Sequence, residues 1–153
     1  MPLVESRLIS LGYTLPPPAE PIGNYLSAST SGNIMWMAGV GASRSDGSRI
    51  SGKLGEDLTV AEGYEAARWC ALNLLSRMKV ELGDLDRVTG ILKVFGMVNS
   101  SPNFEEQAKV VDGASDLFVE LFGEAGRHSR SAPGMAVLPR NTAVIVDCVI
   151  EFA

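Results

Sequence analysis

The chain has 153 residues, 46% of them hydrophobic and 20% charged, enough to bury the core of one ordinary domain, which sets aside disorder and a repeat solenoid. Eighteen acidic against thirteen basic side chains give a net charge of −5 and a pI near 4.9, so the averaged field repels RNA, DNA and anionic membranes. Cys70 and Cys148 have no C-x-x-C spacing and His128 is the one histidine, so no structural metal is expected and a reducing compartment is the default.

In chain order, the opening MPLVESRLISLGYTL interrupts its apolar residues with Glu5 and Arg7, so it has no signal-peptide core. No later stretch reaches the roughly 18 apolar residues of a membrane span, which places the protein in the cytoplasm. Residues 1–20 read as an N-terminal extension made stiff by Pro16-Pro17-Pro18, and residues 21–153 as the domain. Two apolar runs, YLSAS and IMWMAG, flank Thr30-Ser31-Gly32-Asn33 and predict a hairpin. Residues 40–58 are rich in Gly and Ser around an Asp46-Gly47 turn, which predicts a mobile loop with one short strand near Ile50.

The first long helix is signalled by the capping-box spacing of Thr59 and Glu62, by apolar residues at Tyr64, Ala67, Ala71, Leu74, Leu75, Met78 and Leu82, and by the stop at Gly83. The run from Arg87 to Val98 is β-branched and aromatic and reads as a strand covered by helices. A second helix is expected to start at an Asn103 cap and to keep Phe104, Ala108, Val111, Ser115, Phe118 and Phe122 on one face until Gly123. Two strands follow, Ala132 to Leu138 and Ala143 to Phe152, separated by a turn at Pro139-Arg140-Asn141. The fold class is α+β: a five- to six-stranded sheet with two helices on one face. Its other face stays apolar and uncovered, which predicts self-association.

Alternation in the last strand puts Val144, Val146, Cys148 and Ile150 on one face and Ile145, Asp147, Val149 and Glu151 on the other. Asp147 is thus an acid amid aliphatics. Either it meets a cation or hydrogen-bond donors, or its pKa rises and it becomes a proton-transfer group, or it sits at a wet edge. From Glu124 to Asn141, three arginines (Arg127, Arg130, Arg140) against one acid give +2 in an acidic chain. An arginine fork there suits a small carboxylate, the plain alternative being a solvated loop with surface ion pairs. His128 has no second histidine and no paired serine or cysteine nucleophile in an elbow motif, so a triad has no support and His128 reads as structural; both cysteines read as small core residues. No glycine pattern supports a nucleotide phosphate cradle.

Three stretches carry a resemblance: IGNYLSASTSGNIMWMAGVGA; GKLGEDLTVAEGYEAARWCALNLLSRMKVELGDLDRV; and VNSSPNFEEQAKVVDGASDLFVELFGEAGRHSRSAPGMAVLPRNTAVIVDCVIEF. From about residue 20 onward the chain resembles the RidA/YjgF family, also called endoribonuclease L-PSP, in the branch with G-A-S-D-L and G-R-H-x-R-S-A strings. The resemblance implies a chorismate-mutase-like sandwich with a mixed sheet, forming a homotrimer whose sheets make a central barrel with clefts between subunits. It also implies enamine/imine deaminase chemistry, the hydrolysis of reactive 2-imino acids to 2-oxo acids and ammonia with no metal or organic cofactor. Residue by residue, it makes Arg130 the carboxylate anchor, with Ser131 beside it. Asp147 becomes the acid that holds or deprotonates water, while Tyr25 and Gly39 line the substrate cleft. The chain departs from the imine-hydrolysing pattern at Asp112, at Ala132-Pro133, and in having Asp rather than Glu at position 147. A non-catalytic module that binds small carboxylates or partner proteins is the first rival. A ribonuclease, which the acidic charge disfavours, is the second.

Overall fold

A computed structural model describes residues 2–153. The elements are α1 (Leu3–Ser10), β1 (Ala28–Ser31), β2 (Ile34–Gly41), α2 (Val60–Leu82), β3 (Val88–Asn99), α3 (Gln107–Phe122), β4 (Ser129–Ser131), β5 (Gly134–Met135) and β6 (Val144–Phe152). They form one mixed sheet in the order β1-β2-β6-β3-β4, with β5 also pairing to β3. β6 runs antiparallel to both β2 and β3, and the short β4 and β5 run parallel to β3. This is the mixed α+β sandwich that the sequence pattern predicts.

The hairpin forms where expected. Ser31 pairs with Ile34 across a two-residue turn, and Gly32 takes a positive φ of 59° while Asn33 does not, the backbone pattern of a type II′ turn. α2 starts with both halves of the capping box at Thr59 and Glu62 and ends at Gly83. Its inner stripe, Ala67, Cys70, Ala71, Leu74, Leu75 and Met78, is fully buried against the sheet. Period-2 alternation then divides the sheet. Val94, Val98, Val144, Val146, Cys148 and Ile150 are buried under the helices, whereas Phe95, Met97, Ile145, Asp147 and Val149 stay partly exposed on the far face. Trp36 and Leu92 extend that far face, 46% and 41% exposed, so in a single chain the sheet presents an apolar side without cover.

Four local expectations are corrected. The N-terminal extension is helical over Leu3–Ser10, although Pro16 to Pro21 is extended as predicted. This helix has no side-chain cap of its own; its first amides donate instead to the Asp86 carboxylate, from Leu3 N at 2.7 Å and Val4 N at 2.8 Å. Those bonds hold the Asp86 pKa below the usual carboxylate value. Val4 and Leu8 are buried in the main core, and Arg7 donates to the Leu121 carbonyl oxygen at 2.7 Å. The 42–58 loop contains no strand of its own, but isolated bridges tie Ser43 to Arg49 and Ser51 to Thr142, and Ile50 and Leu54 are buried. α3 begins at Gln107 rather than at Asn103, because a turn with Phe104 N donating to Ser101 O comes first. Of the strand predicted over 132–138 only Gly134–Met135 (β5) forms, and β4 pairs ahead of it at Ser129–Ser131, with Ala132-Pro133 between the two; proline has no amide to continue a ladder.

Both cysteines are core residues, and burial raises their thiol pKa values far above the ordinary range. No described helix is long and apolar enough to cross a membrane. Because α1 is held by tertiary packing, Leu8→Ala is expected to lower global stability by about 2–4 kcal/mol, measured as a reduced urea midpoint at unchanged m-value.

Candidate active site

Arg130 lies on β4, paired in register with Val94 of β3 and, through it, with Cys148 of β6. That row faces the helices, so the Arg130 side chain points at α3. Its guanidinium donates from Nη1 to Asp112 Oδ1 at 2.8 Å and to Ser115 Oγ at 3.1 Å, and from Nη2 to the Ala108 carbonyl at 3.2 Å. Ala108, Asp112 and Ser115 recur at the i, i+4, i+7 spacing that makes one helical face, so α3 offers Arg130 three oxygens in a line. The arginine side chain retains 22% exposure on the wall of an open cavity of about 280 Å³ lined by Asp112, Ser115, Val119, Arg127, His128 and Arg130.

His128 completes this wall. Its Nδ1 lies 2.7 Å from the Gly126 carbonyl oxygen and its Nε2 lies 2.8 Å from Ser115 Oγ. Gly126 is needed for this closeness: a Cβ there would fall 2.2 Å from the Phe118 carbonyl oxygen, so only glycine lets the chain approach α3 before β4. Burial is the main cause that pushes the His128 pKa below its ordinary value, and the Arg130 charge acts in the same direction. The Phe118 ring meets the imidazole edge-on at 6.1 Å.

Ser131 and Asp147 are on the other side of the sheet. Asp147 pairs with Phe95, and Phe95 with Ser131, so the three form one row across the open face. Lys93 donates to Ser131 Oγ at 3.1 Å. Asp147 makes no ion pair among the described residues, and desolvation raises its carboxyl pKa. Asp147 is thus a half-buried acid with no cation against it among the described residues.

Tyr25 and Gly39 form a third place. With Val40, Arg49, Arg140 and Ile145 they line a cavity of about 240 Å³. Gly39 sits at an irregularity of the β2–β6 ladder, where a Cβ would lie 3.0 Å from Ile145 Cγ2. The cationic stretch read as one feature is therefore divided: Arg127 and Arg130 face the α3 cavity, Arg140 the Tyr25 cavity. Within one chain Arg130 and Asp147 lie on opposite faces of the sheet. Ser115 was legible only as a polar residue on an otherwise apolar helix face, and Arg49 as one cation in a loop. No group of three or more His, Cys, Asp or Glu among the described residues has the arrangement of a metal site.

The fold is that of a known family. Residues 5–152 match the family described as "YjgF/chorismate_mutase-like, putative endoribonuclease". The chain is 47% identical over 149 residues to Protein TCP17 of Trypanosoma cruzi, covering 97% of this chain and 93% of that protein. Among solved structures, Atu1372 of Agrobacterium tumefaciens, a protein of unknown function, is 40% identical over 98% of this chain and 92% of its own, with a TM-score of 0.90. A protein of Shewanella oneidensis described as a "putative endoribonuclease" is 39% identical over 97% of this chain and 99% of its own, with a TM-score of 0.94. The protein belongs to the YjgF/chorismate-mutase-like family.

Asp147 also supplies a pH signature. Its folded-state pKa is raised, so its ionisation opposes folding: the relative stability is full below the unfolded pKa near 3.8 and falls as pH rises through the folded value. Asp147→Asn is therefore expected to be more stable than wild type at pH 7 and to lose that advantage below about pH 4, read from urea unfolding at both pH values.

Proposed function

We propose that the protein hydrolyses small reactive 2-imino acids, adding water to the C=N carbon to give a 2-oxo acid and ammonia. The observation that supports this reading most directly is the state of Arg130: a guanidinium oriented by three protein oxygens, with little freedom left to lose, at the wall of a cavity open to small molecules. Preorganisation of this kind favours capture of a planar carboxylate. Asp112 offsets part of the arginine's charge, so a substrate carboxylate would bind beside that pair rather than replace it.

The separation of Arg130 from Asp147 bears on where catalysis occurs. β4 is one edge of the sheet and the β1–β2 hairpin, with Tyr25 near it, is the other. In a ring of three chains each β4 edge would meet the hairpin edge of its neighbour, and the apolar far face would be buried toward the centre. The site would then lie between chains: Arg130 of one subunit anchors the carboxylate. Tyr25, Gly39 and Asp147 of the next line the opposite wall, where a carboxyl with a raised pKa can hold a water and exchange its proton. Imines hydrolyse readily without a catalyst, so positioning and one proton-transfer group suffice.

The test generates 2-iminopropanoate or 2-iminobutanoate in situ with an amino-acid oxidase and follows its decay. Wild type is expected to exceed the buffer rate, with Arg130→Ala losing about 10–100-fold in kcat/KM and Asp147→Asn losing kcat. Wild-type decay equal to buffer for several imines would overturn the enzyme reading. Retained binding of a 2-oxo acid through Arg130 would then identify a carboxylate-binding module instead. Light scattering is expected to give about three times the 16.3 kDa chain mass; a single-chain mass would remove the shared site.

A further inference from the structure

The two strings that mark the branch, Gly113-Ala114-Ser115-Asp116-Leu117 and Gly126-Arg127-His128-Ser129-Arg130, meet at a hydrogen-bonded chain of which the imine reading uses only Arg130. Its polarity can be assigned. A carbonyl oxygen accepts but cannot donate, so the 2.7 Å contact of His128 Nδ1 with Gly126 O puts the ring proton on Nδ1. Nε2 is left with its lone pair, and Ser115 Oγ, 2.8 Å away, donates to it. The same hydroxyl accepts from Arg130 Nη1 at 3.1 Å.

Ser115 is thus a hydroxyl that gives its proton toward an imidazole base while receiving a hydrogen bond from a cation. Both partners stabilise the alkoxide, and the carbonyl of Gly126 orients the base as the third member of a triad does. A serine that merely filled a gap in the helix face would not need an open volume before it, yet Ser115 and His128 line the 280 Å³ cavity. Arg127, whose side chain is 69% exposed and reaches Glu124 only at 3.4 Å, stands on the same cavity wall as a second cation.

We propose that Ser115 is a nucleophile activated by His128, in a catalytic site that takes small carboxylate-bearing acyl esters or thioesters. This site does not depend on the imine reading or on a second chain. Ser115 Oγ attacks the acyl carbon, an Oγ–C bond forms and the hydroxyl proton passes to His128 Nε2. Arg127 holds the substrate's carboxylate, and the tetrahedral oxyanion, facing Arg130, collapses with cleavage of the bond to the alkoxide or thiolate leaving group, which takes the proton from Nε2. Water then attacks the acyl-serine with His128 as base, releasing the acid and restoring the serine.

The experiment treats the full chain with an alkyl fluorophosphonate and locates the adduct by peptide mass spectrometry. The Ser115 Oγ–P bond forms as P–F breaks and fluoride leaves. One adduct per chain on Ser115 is expected, absent in Ser115→Ala and formed about 100-fold more slowly in His128→Gln. Absence of a Ser115 adduct on the folded wild type overturns the proposal, whatever the variants do. Equal labelling rates in wild type and a folded His128→Gln overturn it too, and leave the Ser115–His128 bond as a pin between α3 and β4. A wild-type measurement adds specificity: hydrolysis of 4-nitrophenyl hydrogen glutarate is expected to exceed that of 4-nitrophenyl acetate by about tenfold in kcat/KM, and Arg127→Ala to remove the difference. Equal hydrolysis of the two esters overturns the assignment of carboxylate-bearing substrates.

Discussion

Side-chain alternation across β4, β3 and β6 is the constraint on which the rest of this structure depends. Because the strands are paired in a fixed register, Arg130, Val94 and Cys148 form one row and Ser131, Phe95 and Asp147 the next. Adjacent rows point to opposite faces of the sheet. The first row meets helices and is buried or held by oxygens of α3; the second faces outward among aliphatic and aromatic side chains. A slip of one residue would put Cys148 outside and Asp147 under α2, where an unpaired carboxylate is costly. The burial of the inner row therefore fixes the register, and the register fixes where the ionisable groups can act.

The same constraint shapes the electrostatics. Arg130 reaches α3 only because Gly126 lets the preceding turn lie against the Phe118 carbonyl, and α3 answers with an acid, a hydroxyl and a carbonyl on one face. In a protein of net charge −5, this concentrates positive charge on a small cavity instead of spreading it over a surface. That is the scale of a small carboxylate, not of a polymer backbone. Asp147 is treated in the opposite way, desolvated without a cation.

Much of this was legible in the chain. The two long helices, the hairpin, the long strand and the alternating burial of β6 follow from capping residues, period and turn chemistry, all local in sequence. Arg130 and Asp147 stood out because charge appeared where the pattern expected none. The misses share a cause. α1 has no cap of its own and is completed by Asp86, more than eighty positions away. The 132–138 run has strand composition but contains Pro133, and it keeps only the two residues, Gly134 and Met135, that find partners on β3.

Residue order alone determined the α+β class, the family and the oddness of a few ionisable groups, because periodicity, caps and motif strings are properties of neighbours along the chain. Tertiary structure decided which of those groups meet. The three arginines near one another in sequence were parted, Ser115 and His128 were joined, and Arg130 and Asp147 were set on opposite sides of one sheet. Hydrogen bonds and cavities depend on strand register and on how closely a helix can approach, and both are set by contacts between segments far apart in the chain.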